Sequence, residues 1–116
     1  IGPITDPNEN DVLCGRGPSV NNHAGNLQFR DIGFSKKKEY LAPSTKKLKK
    51  AHIAAGIVNN IRTMDPPGRF LKEDRGTGMW FDIGDADAIK KTGQAIREQI
   101  GSRAPPVSSL FLVIDI

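Results

Sequence analysis

Residues 46–83 read KKLKKAHIAAGIVNNIRTMDPPGRFLKEDRGTGMWFDI, and the two halves of this stretch follow different periods. Ala54, Ile57, Val58, Ile61 and Met64 recur at i, i+3, i+4, i+7 and i+10, the spacing of one helical face. The pattern predicts a helix over 46–64, capped by Ser44 or Thr45 and stopped by Asp65-Pro66-Pro67-Gly68. Beyond the stop, Arg69-Phe70-Leu71-Lys72-Glu73 and Met79-Trp80-Phe81-Asp82-Ile83 flank a Gly-containing loop, 74–78, which is the signature of a hairpin. Alternation puts Met79, Phe81 and Ile83 on one face of that hairpin and Trp80 on the other.

Working outward, Pro43 ends an earlier helix, because a residue before proline is pushed out of the helical region. That helix starts between Asn22 and Asn26 and is expected to bury Leu27, Phe29 or the stem of Arg30, Ile32, Tyr40 and Leu41. Gly33 and Ser35 weaken its middle. Asp11-Val12-Leu13-Cys14 reads as a short strand ended by Gly15-Arg16-Gly17-Pro18, and 1–10 as a flexible lead. On the other side, Gly84-Asp85 supplies an acidic start and Ile89, Thr92, Ile96 and Ile100 the apolar face of a last helix ended by Gly101. The expected fold class is α+β. It has three helices with a β-hairpin, winged-helix-like in that a helix pair precedes the hairpin, plus a short N-terminal strand and an extended C-terminal tail. A single domain over 11–101 is followed by a linker and β-prone tail over 102–116, which contains Leu110-Phe111-Leu112-Val113-Ile114.

Bulk properties set the class of partner. The 116 residues carry 17 Lys and Arg against 13 Asp and Glu, a net charge of +4. Eight cations and two anions lie between Arg30 and Lys50, so the rest of the chain is slightly acidic. One basic region sits on an otherwise near-neutral body. No apolar run approaches the roughly 20 residues of a membrane span, and the first six residues, IGPITD, lack the pattern of a secretory leader. Cys14 has no second cysteine to pair with, which fits a reducing compartment. Cys14, His23 and His52 are too scattered for a metal site, and no cofactor is expected.

The functional expectation rests on the lysines. Lys46, Lys47, Lys49 and Lys50 occupy the start of a helix, where the dipole disfavours cations by about 0.3–1 kcal/mol each. Lys36, Lys37 and Lys38 precede them and add repulsion. A polyanion reverses the sign of these terms, so these seven lysines are the candidate nucleic-acid contacts, with double-stranded DNA favoured over RNA. A solvated basic face is the bland alternative. A two-part nuclear import signal is another, and it too implies a nuclear location. Arg69 and Arg75 bracket the hairpin and are expected to approach phosphates, against the reading of Arg75 as a mobile surface arginine. Arg16, His23 and Arg30 are secondary candidates. Gly15-Arg16-Gly17 can cradle a phosphate or simply turn the chain, and Asn22-His23-Ala24-Gly25-Asn26 reads foremost as buried hydrogen bonding at a helix start. Trp80 reads as core before it reads as a stacking platform. No catalytic motif is present, so no enzyme is expected; the competing functions are a protein-interaction or self-association module using Leu110–Ile114, and an enzyme for a phosphorylated small molecule around Arg16, His23 and Arg30.

Several separate motifs also occur in a fixed order: Asp11-Val12-Leu13-Cys14-Gly15-Arg16-Gly17, Asn22-His23-Ala24-Gly25-Asn26 with Phe29-Arg30, Pro66-Pro67-Gly68-Arg69-Phe70-Leu71, Trp80, and Gln94-Ala95-Ile96-Arg97-Glu98. Over about 11–98 the chain resembles a domain family of unknown function that is greatly expanded in unicellular algae such as diatoms. The resemblance implies a eukaryotic regulatory setting, often as one domain of a longer protein, and supplies no biochemical activity.

Overall fold

The computed structural model describes residues 3–15 and 17–98. The order is β1 (Val12–Cys14), α1 (Pro18–Asn21), α2 (Ala24–Leu41), α3 (Lys47–Arg62), β2 (Phe70–Asp74), β3 (Met79–Asp82) and α4 (Asp85–Glu98), an α+β arrangement. One helix exceeds expectation. The single turn α1 opens on Pro18, whose missing N–H costs nothing at a first helical position. The proposed end of the last helix at Ile100 and Gly101, and the tail with its Leu110–Ile114, lie outside the described residues.

The three strands form one sheet in the order β1-β2-β3. β1 runs parallel to β2, with Val12 opposite Phe70, and β2 runs antiparallel to β3, with Leu71 opposite Asp82. A parallel pair requires a crossover, and α1, α2 and α3 provide it. Central β2 is therefore the most buried strand at its start, where Phe70 and Leu71 have no exposed surface. Phe70 meets Phe29 of α2 edge-to-face, centroids 5.6 Å apart. Around this pair the core gathers Val12, Tyr40, Ile53, Ile57, Val58, Ile61, Ala88, Ala95 and Ile96, so the helical face read from residues 54–61 is the face that packs inward.

Several side chains depart from expectation. Leu27 and Leu41 were expected in the core but are 45% and 43% exposed, because α2 turns Gly25, Asn26, Phe29, Gly33 and Tyr40 inward instead. Neither Ser44 nor Thr45 caps α3: Lys46 holds the cap position without a side-chain bond, and the Thr45 hydroxyl donates back to the Glu39 carbonyl. Phe81 is exposed, and Trp80 and Met79 are half-buried. The stretch expected to be a flexible lead is tied to the body. Ile4 and Trp80 exchange backbone hydrogen bonds of 2.8 Å, and the Asn8 and Asn10 side chains donate to the Pro67 and Pro66 carbonyls at 3.0 and 2.7 Å.

Candidate nucleic-acid interface

The motifs nearest the N-terminus build a seam inside the protein. Asp11 is fully buried, and its carboxylate accepts from the Arg69 guanidinium at 3.0 and 2.8 Å, from the Arg69 backbone N–H at 2.8 Å and from the Asn8 N–H at 2.6 Å. Arg69, one of the DNA contacts expected from the sequence, is thereby engaged by Asp11 inside the protein. The side-on clasp uses Nε and Nη2 and leaves Nη1 outside it. Burial works to lower the Arg69 pKa, yet its hydrogen bonds to Asp11, the larger influence, raise it.

On the other side of β1, the Asn26 amide accepts from the Leu13 N–H at 2.8 Å and donates to the Leu13 carbonyl at 2.9 Å. Gly25 makes this approach possible. A Cβ there would stand 1.9 Å from the Asp11 carbonyl oxygen. His23 Nε2 sits 2.9 Å from the Asn8 carbonyl, and Arg30 donates to the Asn21 backbone carbonyl at 2.8 Å and to its side-chain oxygen. His23 and Arg30 are thus structural pieces of this seam, consistent with the foremost reading of the Asn-rich turn as buried hydrogen bonding. A phosphate-ligand site joining Arg16, His23 and Arg30 finds no support in this arrangement of the last two, and Arg16 lies outside the described residues.

The lysines fall at one corner, where the end of α2 meets the start of α3. Lys36, Lys37 and Lys38 lie in the last turns of α2, with Lys38 in the turn where the dipole welcomes a cation. Lys46, Lys47, Lys49 and Lys50 occupy the cap and first turn of α3, which contains no acidic residue and no side-chain cap. The start of α3 meets the last turn of α2. Lys49 Nζ lies 3.8 Å from the Glu39 carboxylate, and Lys50 Nζ stands 5.6 Å from the Tyr40 ring centroid. Both partners of the Lys49–Glu39 pair are about half exposed, so it offsets little of the local charge. Below them a groove of about 320 Å³ runs between α2 and α3, lined by Lys36, Lys49, His52 and Glu39 over a floor of Ile32, Ile53 and Ile57. Leu48, 84% exposed, projects among the lysines.

Arg75 occupies the exposed tip of the hairpin, a loop closed by Asp74, which accepts from the Gly78 N–H at 2.7 Å through its backbone and from the Thr77 hydroxyl at 2.9 Å through its side chain. Trp80 is half-buried and is engaged through its backbone with Ile4. Sequence reasoning missed Arg62, which anchors the far side of the domain. It donates to both oxygens of Asp82 at 3.0 and 2.9 Å, pairs with Asp85 and lies 5.8 Å from the Phe70 centroid. Burial works to raise the Asp82 pKa, but Arg62, the Gly84 N–H and Arg69 together hold it below the ordinary carboxylate value.

Residues 11–98, about three quarters of the chain, match the sequence profile of a family described as Domain of unknown function (DUF6824). No curated protein and no solved structure matches the chain.

Proposed function

The chain belongs to the DUF6824 family, and we propose that it serves as a nuclear, non-catalytic module that binds double-stranded DNA through the corner where α2 meets α3. One observation carries this reading: four lysines crowd an uncapped, acid-free helix start, and Lys36 at the end of α2 lines the same groove as Lys49, with the half-exposed Glu39 beside Lys49. A folded domain gains nothing from cations at that end of a helix; a line of phosphates supplies the missing negative charge. The element order helix, helix, hairpin is also that of winged-helix domains, an analogy that adds Arg75 at the hairpin tip as a second phosphate contact. Arg69, already held by Asp11, is left out of the proposed interface. The interface would position the duplex rather than read its bases, since lysines at a helix start reach phosphates.

Fluorescence anisotropy with a short DNA duplex, titrated across salt, tests this directly. Engagement of about five lysines gives log K against log salt a slope of about −4 to −5. Changing Lys46, Lys47, Lys49 and Lys50 together to Ala should bring the slope down to about −1 and cost at least tenfold in affinity at low salt. An affinity and slope that survive this change, or no binding even at low salt, overturn the proposal.

A further inference from the structure

α2 carries an apolar seam that the described domain leaves in solvent. Leu27, Phe34 and Leu41 are 45%, 60% and 43% exposed, and they stand seven residues apart, two turns of helix each time. Ile32, Lys36 and Glu39 line the groove toward α3. At about 100° per residue the seam falls on the opposite flank of α2, away from the groove and the basic corner's floor. The exposed polar residues on that flank are Asp31, one turn before Phe34, and Lys38, one turn after it.

The pattern reads alike from either end: Leu27, then Asp31, then Phe34, then Lys38, then Leu41. Two copies of a helix packed antiparallel about a two-fold axis bring each residue before the axis against the one equally far beyond it. With the axis at Phe34, the two phenyl rings meet each other. Leu27 of each copy meets Leu41 of the other, and Asp31 stands within one residue of Lys38 of the other. In a parallel pairing the same charges would face their own kind. We propose that this seam is a self-complementary surface that joins two copies of the chain, α2 against antiparallel α2. With one apolar residue per two turns the contact is narrow, so the association is of the weak, reversible class. The inference does not depend on whether the α3 lysines bind DNA; Lys38, on the flank away from the groove that Lys36 and Lys49 line, is counted with this seam.

Sedimentation velocity on the full chain from about 5 to about 500 µM, the range in which such small interfaces equilibrate, reads the result. The weight-average mass should rise from one chain toward two. Phe34→Glu should weaken association at least tenfold while leaving the far-ultraviolet circular dichroism unchanged, since the ring it removes is exposed. Asp31→Lys alone and Lys38→Asp alone should each weaken it several-fold, and the two together should restore it to within about twofold of the parent, because the swap re-creates the opposite-charge pairing. A mass that stays at one chain throughout, whether because residues 99–116 or some other partner occupies the seam, overturns the proposal. So does association that ignores Phe34→Glu, or single charge reversals that the double exchange fails to rescue.

Discussion

Asn26 does for β1 what a neighbouring strand would do, pairing both the N–H and the carbonyl of Leu13 with one buried amide. An amide is the one side-chain group that offers donor and acceptor at that separation. Asn26→Asp keeps the acceptor but faces the Leu13 carbonyl with a second oxygen, so it should cost about 2–4 kcal/mol in urea unfolding, more than an exposed Asn→Asp change on α3 such as at Asn59. Asp82 gives a pH dependence whose sign is fixed. Its pKa is lowered in the fold, so its contribution is in place above the ordinary carboxylate value near 4 and is lost as pH falls through the folded value. Thermal stability should therefore decline below about pH 4, and Asp82→Asn should flatten that decline while lowering stability at pH 7. At this scale the sequence is least legible. The NHAGN run reads as buried hydrogen bonding at a helix start, but its spacing does not say with which partners: Leu13 and Asn8, 13 and 15 residues away. For Asp11 and Arg69 the separation is 58 residues, and nothing in local spacing announces such a pair.

Helices were the most legible elements because their evidence is periodic. Residues 54, 57, 58 and 61 pack inward as their spacing requires, and Thr92 and Ile96 do the same in α4. α2 was harder. Its inward face is built from Gly25, Asn26 and Gly33 as much as from Phe29 and Tyr40, so a search for large apolar residues picked Leu27 and Leu41, which face solvent. The start of α3 is where stability and the proposed binding pull apart. Lys46→Asp would place an acceptor at the cap and a negative charge at the positive end of the helix, raising stability by about 0.5–2 kcal/mol. The same change should weaken DNA binding several-fold. Thermal melts and anisotropy on that single variant must move in opposite directions; a loss of stability would mean that the cap position is already satisfied.

The whole molecule is closed by its N-terminal stretch. Residues 4–10 run from the edge of β3, where Ile4 pairs with Trp80, to the Pro66-Pro67 turn, occupying that one position of the sheet edge. A chain beginning at Asn8 should lose about 1–2 kcal/mol for the two Ile4 hydrogen bonds. It should also aggregate more readily, since an uncovered strand edge invites pairing with another chain. Urea unfolding checks the first consequence, and light scattering at rising concentration the second, each against the full chain. Global topology was half legible: the α+β class and the order of elements followed from local signals. The parallel pairing of β1 with β2 did not, because a three-residue strand carries too little pattern to name its neighbour.

That parallel pairing sets a timetable for synthesis. Val12 waits for Phe70, so a nascent chain has made every residue of α1, α2 and α3 before β1 can be enclosed. Until then Asn26, emerging only 13 residues behind Leu13, is the partner already at hand to hold the strand's backbone out of trouble. A ribosome halted ahead of Gly68 would carry a strand clasped on one flank and bare on the other, and release of the turn that follows would be the event that commits the domain to its shape.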